Sequence, residues 1–305
     1  VQVEVFLAVL TYFGYVFVTA MYSAKAVKYL RLPRHLRWEL YPVMHEVNYR
    51  YGGSYFEEMD WISRTRRKGW LRSIWYLLKE YFTLGEYFKR HKSYWLALYP
   101  WHIGFILIIT FHIFTFFAAV AMVSGLPVAG DSPFLVGRIF YYLVVVIGVA
   151  SFSLGLIGSI GIIVKRLVDD DLRSYATPQN YFTYLFCLAV FLSGLYAWAF
   201  VDPTLSEYRE FWVGLITLKP IMVAPGAVVH IILFDLFLIY LPFTRSMHYI
   251  TRLFAFLLIR WDDEPNLRGS ELERQLMQLF DHKVTWAAPH IQTGKKWGEV
   301  VSEPK

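Results

Sequence analysis

Cysteine is almost missing from this chain. The one thiol, Cys187, sits inside an apolar run, so there is no disulfide framework, no Cys-x-x-Cys-His haem attachment and no thiolate set for an iron–sulfur cluster. Any such cofactor belongs on another chain. His-Glu-x-x-His, Gly-x-Ser-x-Gly and phosphate-loop motifs are missing too, which argues against metal-assisted or nucleophilic hydrolysis and against nucleotide hydrolysis. Charge is withheld from long stretches: Val5 to Tyr22 has none, and 221–243 has no Lys or Arg. A chain of 305 residues that is 56% hydrophobic exceeds what the core of a soluble domain needs, so a polytopic membrane protein is expected. The net charge of +6 then reports membrane orientation first, and no nucleic-acid partner is expected.

Five apolar stretches are long enough to cross a bilayer: Val5 to Tyr22, Trp95 to Met122, Leu135 to Val164, Tyr181 to Val201 and 221–243. The first has no basic leader and no small-residue cleavage site, so it is expected to be retained as a helix. From Lys25 to Lys92 lie 15 of the 30 basic residues, and 27 of the 30 fall on one side of a five-span arrangement. The positive-inside rule puts that side in the cytoplasm, with the N-terminus outside and the C-terminus inside. The expected fold is an all-α five-helix transmembrane bundle in the cytoplasmic membrane. Its expected parts are helix I (1–24), a cytoplasmic loop with an interfacial helix (25–94), a four-helix core (95–260) and a cytoplasmic tail (261–305). Within the loop, Trp70 to Arg90 reads as one aromatic, partly basic helix. Trp61, Trp70 and Trp75 beside Arg64, Arg66, Arg67 and Lys68 suit a docking face for a soluble partner, or a lipid-headgroup contact. His35, His45 and His91 read as surface residues.

Two of the stretches carry paired histidines: His102 and His112 on the second, His230 and His248 on the last. One intramembrane histidine is often only a polar residue bonded to a neighbouring helix. Four are more costly, and polar groups at membrane depth mark a site. The 18-residue spacing of His230 and His248 is five turns of an unbroken helix, which puts both imidazoles on one face. If the two helices run antiparallel, His112 and His230 share the outer depth and His102 and His248 the inner. Each depth then offers two axial imidazoles, as six-coordinate haem iron requires. Ten residues rise ~15 Å and eighteen ~27 Å on straight helices, a mismatch that a kink at Pro242 would help absorb.

These spacings, with LPFTRSMH around the last histidine, resemble the membrane gamma subunit of respiratory nitrate reductase, a five-helix di-haem cytochrome b family. The resemblance covers residues 95 to about 260. It implies haem ligands that cross-pair as above, two haem b groups, and oxidation of menaquinol or another quinol near the outer haem. RWELYPV (Arg37 to Val43) and the loop after it are similar to the DsrM/HmeC/TmcC-like membrane subunits of sulfate-reducer redox complexes. That likeness implies a cytoplasmic iron–sulfur partner resembling heterodisulfide reductase, with extracytoplasmic cytochrome c or ferredoxin-like subunits as further partners.

Arg138 and Asp235 are further candidates for a haem propionate or quinone site. Arg138 could instead snorkel to the interface, and Asp235 could bond a neighbouring helix. The expected function is electron transfer between a quinone and the cytoplasmic partner through two haems. One alternative is a haem conduit without a quinone site, fed by an outside cytochrome c. Another is a non-haem transporter or anchor, although no internal repeat of the transporter type is evident.

Overall fold

The computed structural model describes residues 2–31, 59, 70–255, 267–289 and 291–302. Among these the chain is helical, with no strand beyond the isolated bridges Lys283 to Lys296 and Ala288 to Ile291. Five helices are long and apolar enough to span a membrane: α1 (Gln2–Leu30), α4 (Lys92–Val123), α5 (Leu135–Val168), α7 (Pro178–Phe200) and the segment Pro225–Phe243, whose α-helical part is α9 (Pro225–Tyr240). The last four differ from their sequence-drawn spans by a few residues, while α1 continues well past Tyr22, to Leu30. The protein is therefore a multi-pass membrane protein of five candidate spans.

The chain divides into two compact units, Val1–Met21 with Lys79–Thr244, and Tyr22–Leu78 with Arg245–Lys305. In the first unit the closest packing is between α4 and α5, and it is set by small residues. A Cβ at Gly104 would meet the backbone of Gly155, and one at Gly158 would meet the backbone of Trp101. The Ser151 hydroxyl donates to the Gly104 carbonyl at 2.9 Å across the same contact. In lipid, where no hydrophobic drive separates helix from solvent, such close backbone approach is what holds helices together. The Gly- and Ser-rich run of α5 is thus used against its neighbours.

Helix α1 up to Met21 belongs to this unit through specific contacts. The Tyr12 hydroxyl donates to the Leu215 carbonyl at 2.5 Å, and Leu7 and Ala8 share a core with Phe211, Trp212 and Ile231. Facing away from that core are Val16 on α1, Val146 and Ile157 on α5, and Leu192 on α7, each more than half exposed. Apolar groups exposed around a whole bundle are matched by hydrocarbon rather than water.

Three expected details differ. The stretch Trp70 to Arg90 is not one helix: it breaks at Leu84, whose φ of 48° is left-handed, into α2 (Trp70–Thr83) and α3 (Gly85–Arg90). The connection after α7 is not a plain loop but contains α8 (Ser206–Ile216). Asp202 organises its first turn, accepting from the backbone N–H of Ser206 at 3.0 Å and of Glu207 at 2.8 Å. Finally, α9 ends at Tyr240, and two 3-10 turns, 241–243 and 245–247, precede the next helix. Pro242 does more than kink the helix, because Thr244 between the turns is extended at φ −98° and ψ 172°.

A short helix, α6 (Asp170–Ser174), joins α5 to α7. The second unit contains α10 (His248–Ala255), α11 (Glu271–Phe280) and α12 (Trp297–Ser302). Helix α11 is capped by the Ser270 hydroxyl, which accepts from the Glu273 N–H at 3.1 Å. The Arg37 to Val43 segment, His35, His45 and the basic cluster Arg64 to Lys68 lie outside the described residues.

Candidate functional site

His112 stands in the C-terminal half of α4, 5% exposed, and its ring Nδ1 lies 2.7 Å from the Ile108 carbonyl one turn earlier. A carbonyl only accepts, so Nδ1 carries the proton and Nε2 keeps its lone pair. His230, on α9 and also 5% exposed, reaches the same state by a different route. Its Nδ1 lies 3.0 Å from the Ser193 hydroxyl of α7, and that hydroxyl already donates its one proton to the Val190 carbonyl at 2.9 Å. Ser193 therefore accepts from His230. Both Nε2 atoms are buried and have no hydrogen-bond partner. A buried orphan acceptor costs free energy unless something fills it, and an Nδ1–H held by a carbonyl or hydroxyl is the usual support of a ligating imidazole.

The two rings share one aromatic pocket. Phe234, one turn beyond His230, stacks on His112 with centroids 3.9 Å apart and planes within 7°, and its ring lies 6.4 Å from that of His230. Phe152 meets His230 edge-on at 5.3 Å, and Tyr208 of α8 meets His112 edge-on at 5.8 Å. A small cavity opens here, lined by Phe111, Phe152, Gly194, Leu205, Tyr208 and His230. Gly194 is required by this packing, since a Cβ would lie 2.6 Å from the Phe152 ring and 2.8 Å from His230. No group of three or more His, Cys, Asp or Glu placed to hold a metal ion occurs among the described residues. Two neutral imidazoles in an aromatic pocket are too few for a bare ion but are the donor type that would hold a haem iron. The residues fit that group.

His102 lies ten residues before His112 on α4, half-buried, beside Trp101, whose ring meets Tyr184 edge-on at 5.7 Å. His248 belongs to the second unit, where it opens α10. It is exposed, and its Nδ1 donates to the Arg245 carbonyl at 2.9 Å. The expectation that His230 and His248 share a face of one unbroken helix is corrected: the 3-10 turns between them release His248 from the helical phase of His230.

Asp235 is 1% exposed and accepts from the Thr11 hydroxyl at 2.6 Å, so its partner is helix α1. Arg138 is exposed in the first turn of α5. The sequence reading missed Arg209, which is 3% exposed on α8 and lies 5.3 Å from the Tyr141 ring centroid. Its burial draws its pKa down from the usual value, opposed by the charge of Asp202. Tyr208 was missed as well. The signal was present in DPTLSEYREFW, where Asp202 and Ser206 precede an apolar face at Phe211, Trp212 and Leu215.

Fold and site together define a multi-pass helical membrane protein with histidines paired inside the bundle. The family model of the nitrate reductase gamma subunit matches residues 80–262, more than half of the chain, and the chain belongs to that family. Its members are membrane cytochrome b subunits of multi-subunit complexes, bind haem b and take part in quinone-linked electron transfer. No curated protein and no solved structure matches the chain.

Proposed function

We propose that this chain moves electrons across the cytoplasmic membrane between menaquinone, or another quinone, and a soluble iron–sulfur subunit resembling heterodisulfide reductase. His112 and His230 hold an outer haem b, and His102 and His248 an inner one. The observation that carries this is the pair of buried Nε2 lone pairs gathered around Phe234. When bound, haem supplies the one-electron chemistry. The residues do the rest: Ile108 and Ser193 fix the ring tautomers, and Phe111, Phe152 and Phe234 keep water from the outer pair. Asp235, bonded to Thr11, is the buried carboxyl able to hold a proton close to that pair, and Arg138 is the cation at the outer entrance. The likeness of Arg37 to Val43 supports assigning the complex to the branch linked to sulfate and sulfite reduction. The test is a redox-titrated optical spectrum of the purified full chain, with and without a quinone-analogue inhibitor. Two b-type components, the outer one perturbed by the inhibitor, are expected. A chain without b-type absorption would end the haem reading, and an outer component insensitive to every quinone analogue would leave only a conduit.

The four-helix core, 95–260 on the sequence, is joined in this reading by helix α1, with N-terminus outside and C-terminus inside. Single cysteines at Ser124 and Lys219, both exposed, are expected to react with an impermeant maleimide from the outside of intact cells. One at Ser174 should react only after the membrane is opened, and buried Cys187 should stay silent. Outside labelling at Ser174 would invert the assigned orientation.

A further inference from the structure

Helix α2 (Trp70–Thr83) turns outward an apolar stripe that nothing in the described chain covers. Leu71 is 82% exposed, Trp75 69%, Leu78 44% and Phe82 51%. At 100° per residue these four positions fall within about 60° of arc, so they form one ridge rather than four scattered side chains. From Leu71 to Phe82 the ridge is about 16 Å long at 1.5 Å per residue. Lys79 borders it and is exposed, whereas Glu80, on the far side of the helix, is buried. An ordinary surface helix buries its apolar face and shows its charges. Helix α2 shows its apolar ridge and buries its one acid.

What covers the ridge is indicated by where α2 ends. The indole N–H of Trp95, in the first turn of span α4, donates to the Thr83 carbonyl at 2.8 Å, so the last turn of α2 is tied to the mouth of a membrane span. Trp95 also meets Phe88 of α3 edge-on at 5.0 Å and stacks on Tyr99 at 4.5 Å. Aromatic rings gathered at such a mouth mark the headgroup level of a bilayer. From the ridge the exposed apolar surface continues through Phe88 and Leu96 onto α4 itself. Charge agrees with this placement. Lys79 is exposed beside the ridge, Lys92 lies over the Phe88 ring at 5.6 Å, and Arg64, Arg66, Arg67 and Lys68 precede α2 in the sequence. Cations beside a ridge of Leu, Trp and Phe suit the anionic headgroups and acyl chains of a leaflet.

We propose that α2 is an anchor lying in the plane of the bilayer, with Leu71, Trp75, Leu78 and Phe82 seated among the acyl chains and Lys79 at the headgroups. In the orientation assigned above this is the cytoplasmic leaflet. The left-handed residue Leu84, φ 48°, ends the in-plane helix and separates it from α3. Trp75, which on sequence suits a soluble partner or lipid, is thereby assigned to lipid, and a soluble subunit has to find its docking face elsewhere. The anchor is independent of the haem assignment, because no residue in it touches a histidine of either pair.

The test places nitroxides on single cysteines at Leu71, Trp75, Leu78, Lys79, Phe82 and Thr83 of the full chain carrying Cys187→Ser. The labelled protein is measured in native membranes and in bilayers of phosphatidylethanolamine and phosphatidylglycerol. Molecular oxygen collects among acyl chains and a nickel chelate stays in water, so the ratio of their collision rates reads depth. That ratio should be severalfold higher at Leu71, Trp75, Leu78 and Phe82 than at Lys79 and Thr83, in both preparations. With Trp75→Glu and Leu78→Glu together, the ratio at Leu71 should fall to that of Lys79, because two charges on the ridge oppose its insertion. A flat ratio along the helix, or nickel collisions dominating on the ridge, would overturn the proposal, since the ridge would then face water. Exclusion of both reagents from the ridge in the reconstituted bilayers would overturn it as well, since protein would then cover it. So would exclusion in native membranes that is relieved when an alkaline wash strips peripheral proteins, since the occupant would then be a soluble subunit.

Discussion

Replacing His112 or His230 with alanine is expected to remove one of two b-type components completely and leave the other, halving the haem-to-protein ratio. The expectation comes from the local chemistry. Each ring is fixed by its Nδ1–H, on Ile108 and Ser193, and each presents a buried Nε2 that nothing in the chain fills. With one imidazole gone, a haem there would lose one of its two proposed protein ligands, and the pocket walls Phe111 and Phe152, whose rings meet at 5.5 Å, offer no substitute donor. His102→Ala and His248→Ala are expected to remove the other component. A reduced-minus-oxidised spectrum of each variant measures this. Removal of the same component by His112→Ala and His248→Ala would show that the ligands pair along a different rule from depth.

Gly158→Val is expected to separate α4 from α5 and to lower both stability and haem content. A Cβ at this position would land on the backbone N and Cα of Trp101, neither of which can rotate away. Overpacking of this kind costs about 1–3 kcal/mol, and more where backbone must shift. The displaced residue is the neighbour of His102, so the inner haem should suffer first. Gly161→Ala is the matched control, because its Cβ would meet only the Ala97 side chain and Cα, at 3.1 and 3.3 Å. Thermal melting of the solubilised protein, read with the haem spectrum, separates the two variants. An unchanged melting temperature and haem content in Gly158→Val would mean that α4 and α5 are not in backbone contact.

The asymmetry between the two ends of helix V shows what a sequence pattern carries and what it loses. The apolar run 221–243 announced a span, yet the helix begins only at Pro225, which holds Ala224 extended before it, and the Ala224 N–H goes to the Glu207 carboxylate of α8 at 3.0 Å. At the other end Pro242 announced a disturbance. Whether it would bend the helix or end it depended on Thr244 finding a buried place off the helical path, where its N–H and hydroxyl both return to the Leu241 carbonyl. An ideal-wheel count from His230 to His248 fails across that break.

Span number and the histidine pairs were legible because they depend on each residue's own chemistry: transfer into hydrocarbon adds up residue by residue along a run, and an imidazole at membrane depth is conspicuous wherever it points. The tautomer of each ring, the choice of Asp235 to bond Thr11 and the burial of Arg166 and Arg209 were decided by tertiary structure. The His112 tautomer is set locally by Ile108, but the others depend on partners tens to hundreds of residues away. His230 is oriented by Ser193, Asp235 by Thr11, and Arg209 lies over Tyr141, contacts made only when α1, α5, α7, α8 and α9 pack together. Arg138 and Arg209 are the same residue type near the same end of the bundle. Only the packing of α8 against its neighbours exposes the first and buries the second, because α8 folds inward on a turn that Asp202 holds and carries Arg209 with it.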